Sequence, residues 1–313
     1  MSFAEDVKNE LCQIHTDSNQ DARTEASCLL RMGGSLLLGV KGRVGIRLAT
    51  ANNAVARRVL STLRSSFNLQ TSVVIRKGLN LRKKNMYTLT VEPTELGEKA
   101  LRSMALWPVD TEVPKEWIAT MEGRRAFLRG AFLGGGSVNK PQSDYHLEFM
   151  TSNLYFAEMI VHVLKLFHLN AGLTERKDSY VVYLKEGDAV TSCLQIMGAN
   201  TALMEFENVR VMKDMRNQVN RQVNCETANL QKTVNAAVRQ LESIRIIERH
   251  MSWNEVPYKL REVAQARMEN PDASLQELME DMGGALSKSG IGHRFKKLEK
   301  LALSFEPEGL DHV

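Results

Sequence analysis

The sequence predicts an α+β fold in which a duplicated, pseudo-twofold domain is followed by an all-α domain. The chain aligns with itself at an offset of about a hundred residues, which indicates an internal repeat. Beyond residue 209, strand-forming patterns give way to continuous helical periodicity. We therefore expect a duplicated domain over 1–209, with repeats at about 22–105 and 123–205, then a linker over 210–224 and a second domain over 225–304.

The duplication is clearest in a glycine-rich motif near the start of each repeat. Residues 28–36 align with residues 130–138, and each copy has a helical run of small residues that ends in glycine and serine. Because small side chains let helices approach closely, we expect Cys28–Met32 and Gly130–Leu133 to meet at the pseudo-twofold axis. A flexible glycine loop is the alternative interpretation of the second copy.

Each repeat then continues with the same order of patterns. A strand-like alternation runs into a Thr-x-Asn turn at 46–52 and again at 147–153. A helix and two further strands follow in both copies. The helices are predicted at 54–67 and 155–167, and the strands at 73–77, 85–91, 172–177 and 179–184.

The pattern of the C-terminal part predicts a series of helices. Glu226–Arg249 is predicted to be one helix with an apolar face made of Leu230, Val234, Ala237, Val238, Leu241 and Ile244. Pro257 opens the next helix, which the run Asn270-Pro271-Asp272 ends. Its apolar face is predicted to contain Leu260, Val263, Ala264 and Met268.

The last two helices have the spacing of a helix-turn-helix. Ser274 and Glu277 form a capping box before a short helix that extends to Met282. A Gly283-Gly284 turn follows, and Ser287 is a natural N-cap for the helix Lys288–Leu303.

The final helix is amphipathic in a way that suits the major groove of DNA. Ile291, Phe295, Leu298 and Ala302 lie on one face, while polar and basic residues lie on the other face and its flanks. Lysines and arginine would contact phosphates, and Ser289, Gly290 and His293 would lie nearest to bases. The predicted DNA-binding residues are Ser287, Lys288, Ser289, Gly290, His293, Arg294, Lys296, Lys297 and Lys300. A simply solvated helix face is the alternative.

A second basic cluster lies between the strands of the first repeat and could also touch DNA phosphates. No aromatic residue is interleaved to stack on bases, so a solvated hairpin is the alternative. The cluster consists of Arg76, Lys77, Arg82, Lys83 and Lys84.

Composition argues against several other classes of protein. The net charge of +4 is compatible with a polyanionic partner, and four dispersed cysteines without metal-ligand spacing indicate a reduced, cytoplasmic protein. No signal peptide, membrane span, phosphate-cradling loop or nucleophile with an adjacent base is found, so we expect no membrane association, cofactor, metal or catalytic residue. The acidic tail 305–313 is expected to be disordered.

The duplicated unit resembles the LAGLIDADG homing endonucleases, and nearly the whole chain is similar to the WhiA family. The matching segments are Met1-Ser2-Phe3, the run from Val7 to Leu11, the run from Leu30 to Ser35, Arg129–Leu133, Asn224–Leu230 and the terminal helix-turn-helix. In the nucleases, an acidic residue near the end of each glycine motif binds the catalytic metal. Gly33 and Gly135 occupy these positions, and Glu25 and Asp144 nearby form no symmetric pair.

The resemblance implies a transcription regulator of cell division and, where present, sporulation, with nuclease activity lost. Its expected partner is double-stranded DNA at promoters, with a WhiB-type iron-sulphur regulator added if the chain is actinobacterial, and its expected location is the nucleoid. Two alternatives stand beside this interpretation. One is a protein-docking scaffold in cell division or chromosome segregation, and the other is an active metal-dependent endonuclease.

Overall fold

The structure is a computed structural model that describes residues 2–16, 18–78, 84–109 and 111–305. Contacts along the chain divide it into two units, residues 1–213 and 214–313. Arg82, Lys83 and the predicted tail beyond Phe305 lie outside the described residues.

The first unit contains two copies of one arrangement of helices and strands, preceded by helix α1 (Phe3–Leu11). The predicted order of elements is confirmed in both copies. The first copy comprises α2 (Asn19–Gly33), β1 (Gly34–Leu38), β2 (Val44–Thr50), α3 (Asn53–Phe67), β3 (Ser72–Arg76), β4 (Met86–Val91) and α4 (Glu95–Ser103). The second comprises α5 (Met121–Gly135), β5 (Gly136–Val138), β6 (Leu147–Thr151), α6 (Leu154–Leu166), β7 (Gly172–Arg176), β8 (Ser179–Leu184) and α7 (Gly187–Met197).

The two copies match in sheet topology and in local detail. Each has a four-stranded antiparallel sheet, ordered β1-β2-β4-β3 in the first copy and β5-β6-β8-β7 in the second. The predicted Thr-x-Asn turns begin the second helix of each copy, α3 and α6. Asn52 Oδ1 accepts a hydrogen bond from the Val55 amide at 3.1 Å, and Asn153 Oδ1 accepts one from the Phe156 amide at 2.9 Å.

Helices α2 and α5 pack against each other through their small residues, as predicted. A Cβ atom placed on Gly130 would lie 2.2 Å from the carbonyl oxygen of Glu25, and one on Gly134 would lie 2.5 Å from that of Leu29. Such contacts require glycine, because real Cβ atoms do not approach backbone oxygen so closely. The alternative of a flexible loop is wrong, since Gly134 and Gly135 are helical and Gly136 begins β5.

One hydrophobic core runs through the first unit. Helix α1 contributes Phe3, Val7 and Leu11, and the sheets and helices of both copies supply the remaining buried side chains. Among the largest fully buried side chains of this core are Phe127, Phe132, Phe149, Phe156 and Phe206. Burial of this apolar surface is the main stabilising contribution to the unit.

Helix α8 (Asn200–His250) differs from the predicted helix, which began at Glu226. The predicted linker 210–224 lies within α8, because its residues continue to form helical hydrogen bonds. The predicted apolar face is correct only in part: Ala237 and Ile244 are buried, whereas Leu230, Val234 and Val238 are exposed. Only the last turns of α8 pack against the core of the second unit.

Candidate nucleic-acid interface

Three short helices after α8 form the candidate site in the second unit. They are α9 (Tyr258–Glu269), α10 (Leu275–Asp281) and α11 (Lys288–Leu303), so the predicted bounds of the final helix are confirmed. The predicted buried face of α11 is confirmed as well. Ile291, Phe295, Leu298 and Ala302 are all at most 2% exposed and pack with Val263 and Leu278.

Local hydrogen bonds fix the two helices and the turn between them. The capping box is present, with Ser274 Oγ accepting from the Glu277 amide at 3.2 Å and Glu277 Oε2 accepting from the Ser274 amide at 2.6 Å. Gly283 and Gly284 have φ angles of 71° and 70°, which side chains disfavour and glycine tolerates. Ser287 Oγ then accepts from the Gly290 amide at 3.2 Å and begins α11. These contacts set the angle at which α11 leaves the turn.

The exposed side of α11 borders a groove of about 700 Å³. Five of the predicted DNA-binding residues line this groove, namely Ser287, Lys288, Ser289, His293 and Lys296. Sequence reasoning missed Leu275 of α10 and Gly292, which also line it. The apolar periodicity of α10 gave no indication that Leu275 would reach α11, whereas the lack of a side chain at Gly292 could have suggested a close approach.

The remaining predicted residues are placed differently. Lys297 and Lys300 are exposed on α11 outside the groove lining, and Gly290 is half-buried beside the cap. Arg294 is engaged with α9, because its guanidinium donates to Glu262 Oε2 at 2.9 Å and to the Lys259 carbonyl at 3.1 Å. The structure therefore shows Arg294 joining α11 to α9.

Arg267 is a buried residue of this unit that sequence reasoning missed. It is 1% exposed and takes the inward position that was predicted for Met268, which is 39% exposed. Its guanidinium donates to Gln240 Oε1 at 3.0 Å and to the carbonyls of Asn270, Pro271 and Ala273, and it lies 5.5 Å from the Phe295 ring centroid. Burial lowers the pKa of this guanidinium. Arg267 thus ties α8, the turn before α10 and α11 together.

The described residues of the second basic cluster lie in two different environments. Arg76 and Lys77 are exposed at the end of edge strand β3, whereas Lys84 forms an ion pair with Glu5 of α1. At the corresponding end of β7, Arg176 and Lys177 are also exposed. The internal alignment contained this second pair, but sequence reasoning assigned it no role. The two sheets therefore carry matched basic pairs at the ends of their edge strands.

The two glycines at the nuclease metal positions are tightly surrounded. Gly33 and Gly135 are the last residues of α2 and α5. A Cβ on Gly135 would lie 2.6 Å from the carbonyl oxygen of Met150, and one on Gly33 would lie 3.2 Å from that of Gly134. Glu25 does not supply a free carboxylate, because it pairs with Arg58 at 2.8 Å and with Arg129 at 2.6 Å.

The part of the chain that the structure describes contains neither a candidate metal centre nor a candidate membrane-spanning helix. Within it, no group of three or more histidine, cysteine, aspartate or glutamate side chains is arranged to hold a metal ion. The same residues include no helix with the length and apolar character needed to cross a membrane.

Three family models cover most of the chain and correspond to the structural divisions. The model for the WhiA N-terminal LAGLIDADG-like domain matches residues 19–107, the WhiA LAGLIDADG-like domain matches 124–216, and the WhiA C-terminal HTH domain matches 219–302. The chain belongs to the WhiA family. The predicted duplicated LAGLIDADG-like domain and the helix-turn-helix that follows it are thereby confirmed.

Curated relatives and solved structures agree with membership of the WhiA family. A protein from Clostridium botulinum (strain Hall) named "Probable cell division protein WhiA" is 42% identical and covers 96% of this chain and 98% of its own length. A protein of the same name from Alkaliphilus metalliredigens is also 42% identical over the same shares. The crystal structure of full-length DUF199/WhiA from Thermotoga maritima is 28% identical, covers 98% of this chain and 99% of its own, and has a TM-score of 0.61.

Proposed function

We propose that this WhiA-family chain is a site-specific regulator of transcription that binds double-stranded DNA through α11. The observation that carries the proposal is the groove beside α11, where two hydroxyls, an imidazole and two ammonium groups converge. The opposite face of the helix is anchored in the core, so these groups are held on a rigid element. An α-helix presented in this way fits the major groove, which is wide enough to admit it.

The polar residues of α11 divide by the contacts they can make. Ser289 and His293 lie in the first half of the helix and can hydrogen-bond to base edges. Lys288, Lys296, Lys297 and Lys300 are exposed cations that can neutralise phosphates. Arg294 supports the angle between α11 and α9 through Glu262 rather than acting as a main phosphate contact.

The duplicated domain adds phosphate contacts in this proposal. Arg76 with Lys77, and Arg176 with Lys177, end the two edge strands and could contact the backbone of one duplex. Arg82 and Lys83 stay predictions, and the ion pair of Lys84 with Glu5 makes that lysine a weaker candidate.

Loss of nuclease activity is the second part of the proposal. Metal-assisted hydrolysis requires carboxylates that hold the metal and activate water. Glycine stands at both family positions, and Glu25 is committed to two arginines. Supercoiled plasmid incubated with Mg²⁺ or Mn²⁺ should stay supercoiled, and site-specific nicking would restore the endonuclease alternative.

We further propose that the regulated promoters are those of cell-division genes, in keeping with the names of the relatives. Binding would place the protein in the nucleoid, and sporulation genes would be added in a host that sporulates. A WhiB-type partner stays a prediction for an actinobacterial host.

The test compares DNA binding by the chain and by matched lysine variants. Chromatin immunoprecipitation of wild-type protein should yield discrete promoter peaks, and a duplex from such a peak then serves as the probe for fluorescence anisotropy. Substitution K296A/K297A should weaken binding. It should also make the dependence of the binding constant on salt less steep: the negative slope of log K against log salt concentration should shrink in magnitude by about 1.8, since each phosphate contact contributes about 0.9. The control K165A/K232A removes two exposed lysines elsewhere and should bind like wild type.

Absence of promoter peaks, or equal binding by K296A/K297A and the control, would contradict the proposed role of α11. A protein that shows no salt-dependent affinity for any duplex would instead support the docking-scaffold alternative.

A further inference from the structure

A cleft of about 890 Å³ opens between α1 and α3 in the first repeat. This volume lies within the range of small-molecule sites in proteins. Helix α3 buries Val55, Val59 and Leu63 in the core, and its opposite side forms one wall of the cleft. The cleft therefore lies on the side of α3 that faces away from the core.

Two arginines, Arg57 and Arg58, lie on the α3 wall of the cleft. Arg57 is exposed, its Nε donates to Asn53 Oδ1 at 3.2 Å, and no carboxylate in the described part of the chain forms an ion pair with it. Lys84 lies on another wall, where it already neutralises Glu5, the acidic residue that lines the cleft. The charge of Arg57 is thus available to a bound anion.

Arg58 shares its carboxylate partner with a second arginine. Its Nε lies 2.8 Å from Glu25 Oε1, but Glu25 Oε2 also pairs with Arg129 at 2.6 Å, so two guanidiniums share one carboxylate. Asp21 adds an interaction with Arg129. Because Arg58 is largely buried, its charge is less screened by water than that of a surface arginine.

The second copy of the repeat shows that this charge is not a requirement of the fold. Asn52 and Asn153 cap α3 and α6 in the same way, which fixes the alignment of the two helices. At the positions of Arg57 and Arg58, the second copy has Glu158 and Met159. The cationic wall is therefore a property that only the first copy has acquired.

We propose that this cleft binds the phosphate groups of a small phosphorylated molecule. Arg57 and Arg58 would pair with phosphate oxygens, as guanidiniums do with charge-assisted hydrogen bonds. Asn53 and Ala54, the first residues of α3, also line the cleft, so the positive end of the helix adds to the same field. This inference does not depend on the proposed DNA binding.

The test is isothermal titration of the full chain with inorganic pyrophosphate at constant ionic strength. Wild type should bind with one saturable site, and Arg57→Gln should weaken that binding about tenfold or more, because a charge-assisted contact contributes at least about 1.4 kcal/mol. Arg64→Gln removes an exposed arginine of α3 outside the cleft and should leave binding unchanged.

Three results would overturn the proposal: no saturable binding by wild type, equal binding by wild type and Arg57→Gln, or equal losses in Arg57→Gln and Arg64→Gln. DNA affinity is measured in parallel on the same samples. If Arg57→Gln loses DNA affinity while pyrophosphate does not bind, the cleft contacts nucleic-acid backbone and the small-molecule site is refuted. Because Arg57 is exposed and makes one local hydrogen bond, its substitution should not unfold the chain.

Discussion

Arg129 of α5 and Glu25 of α2 form a buried ion pair across the pseudo-twofold axis, with Nε and Oε2 separated by 2.6 Å. Both residues are less than 10% exposed, and Glu25 holds Arg58 of α3 as well. Helices α2 and α5 are therefore held together at the axis by one carboxylate as well as by close glycine contacts. In the second copy, Phe127 stands at the position aligned with Glu25, so this network has no symmetric counterpart.

The first prediction concerns this carboxylate. Glu25→Gln should lower the free energy of unfolding of the first unit by about 3–5 kcal/mol, because it leaves buried guanidiniums without their anion. Urea denaturation followed by tryptophan fluorescence measures the change. Glu122→Gln removes an exposed partner of Arg125 and should cost less than about 1 kcal/mol. Similar losses in the two variants would show that the buried pair contributes no more than a surface pair.

The second prediction concerns the glycine contacts at the axis. Gly130→Ala should destabilise the first unit strongly, since the added Cβ would meet a backbone carbonyl at 2.2 Å that no side-chain rotation can relieve. Gly33→Ala should be milder, as its nearest contact would be 3.2 Å. Thermal unfolding of the two variants tests the order, and an equal effect would contradict the assigned packing.

The third prediction concerns the buried guanidinium of the second unit. Arg267→Met should destabilise that unit by about 3 kcal/mol, because three carbonyls before α10 lose their common donor. DNA affinity should fall with it, since α10 and α11 would lose their fixed angle. Lys232→Met, an exposed change on α8, serves as the control. Full stability of Arg267→Met would mean that the turn is held by other contacts.

The fourth prediction concerns the thiols. Burial raises the pKa of Cys12 and of Cys193 to about 12 each, and it also raises the pKa of Cys28. Thiolate is the reactive form, so these three cysteines should react slowly at neutral pH. Cys225 is exposed and should be the one thiol that reacts rapidly with a chromogenic disulfide reagent in native protein. Cys225→Ser should abolish the fast phase, and a remaining fast phase would show that a second cysteine is accessible.

The fifth prediction concerns sequence discrimination by α11. His293→Ala should reduce the preference for a specific site over mismatched duplexes by about 1–3 kcal/mol if the imidazole contacts a base edge. Lys300→Ala should weaken binding to both kinds of duplex by the same factor, because phosphates carry no sequence information. Competition anisotropy with matched and mismatched duplexes distinguishes these patterns, and a uniform loss in His293→Ala would assign that residue to backbone contact.

Local patterns predicted much of this structure because their causes are local. The capping box at Ser274, the cap at Ser287 and the buried face around Phe295 depend on neighbouring residues, so spacing alone located them. The repeat was predictable because both copies have the same order of glycine-rich helix end, Thr-x-Asn turn and alternating strand in the sequence. The start of α8 was not predicted. Its first turns bury Ala202 and Phe206 in the core of the first unit, whereas the exposed stretch that follows carries no amphipathic signal to link them to the predicted helix.

Features that depend on partners far away in the sequence were not predicted. The burial of Arg267 needs Gln240 and three carbonyls that no pattern brings together, and an arginine is ordinarily expected at the surface. The commitment of Arg294 to Glu262 likewise depends on how α9 packs against α11. In the candidate site, helix faces were therefore predictable, whereas the division between exposed and engaged basic residues was not.

The fit around Gly135 also limits which side chains this position can hold. A single substitution to aspartate would place an acidic group here, yet its Cβ would lie 2.6 Å from both the Met150 carbonyl oxygen and Met32 Cε. The methionine side chain can move, but the backbone carbonyl belongs to strand β6 and is held by its neighbours. An acidic residue at this position would thus require several coordinated changes, so the packing restricts which substitutions the fold accepts here.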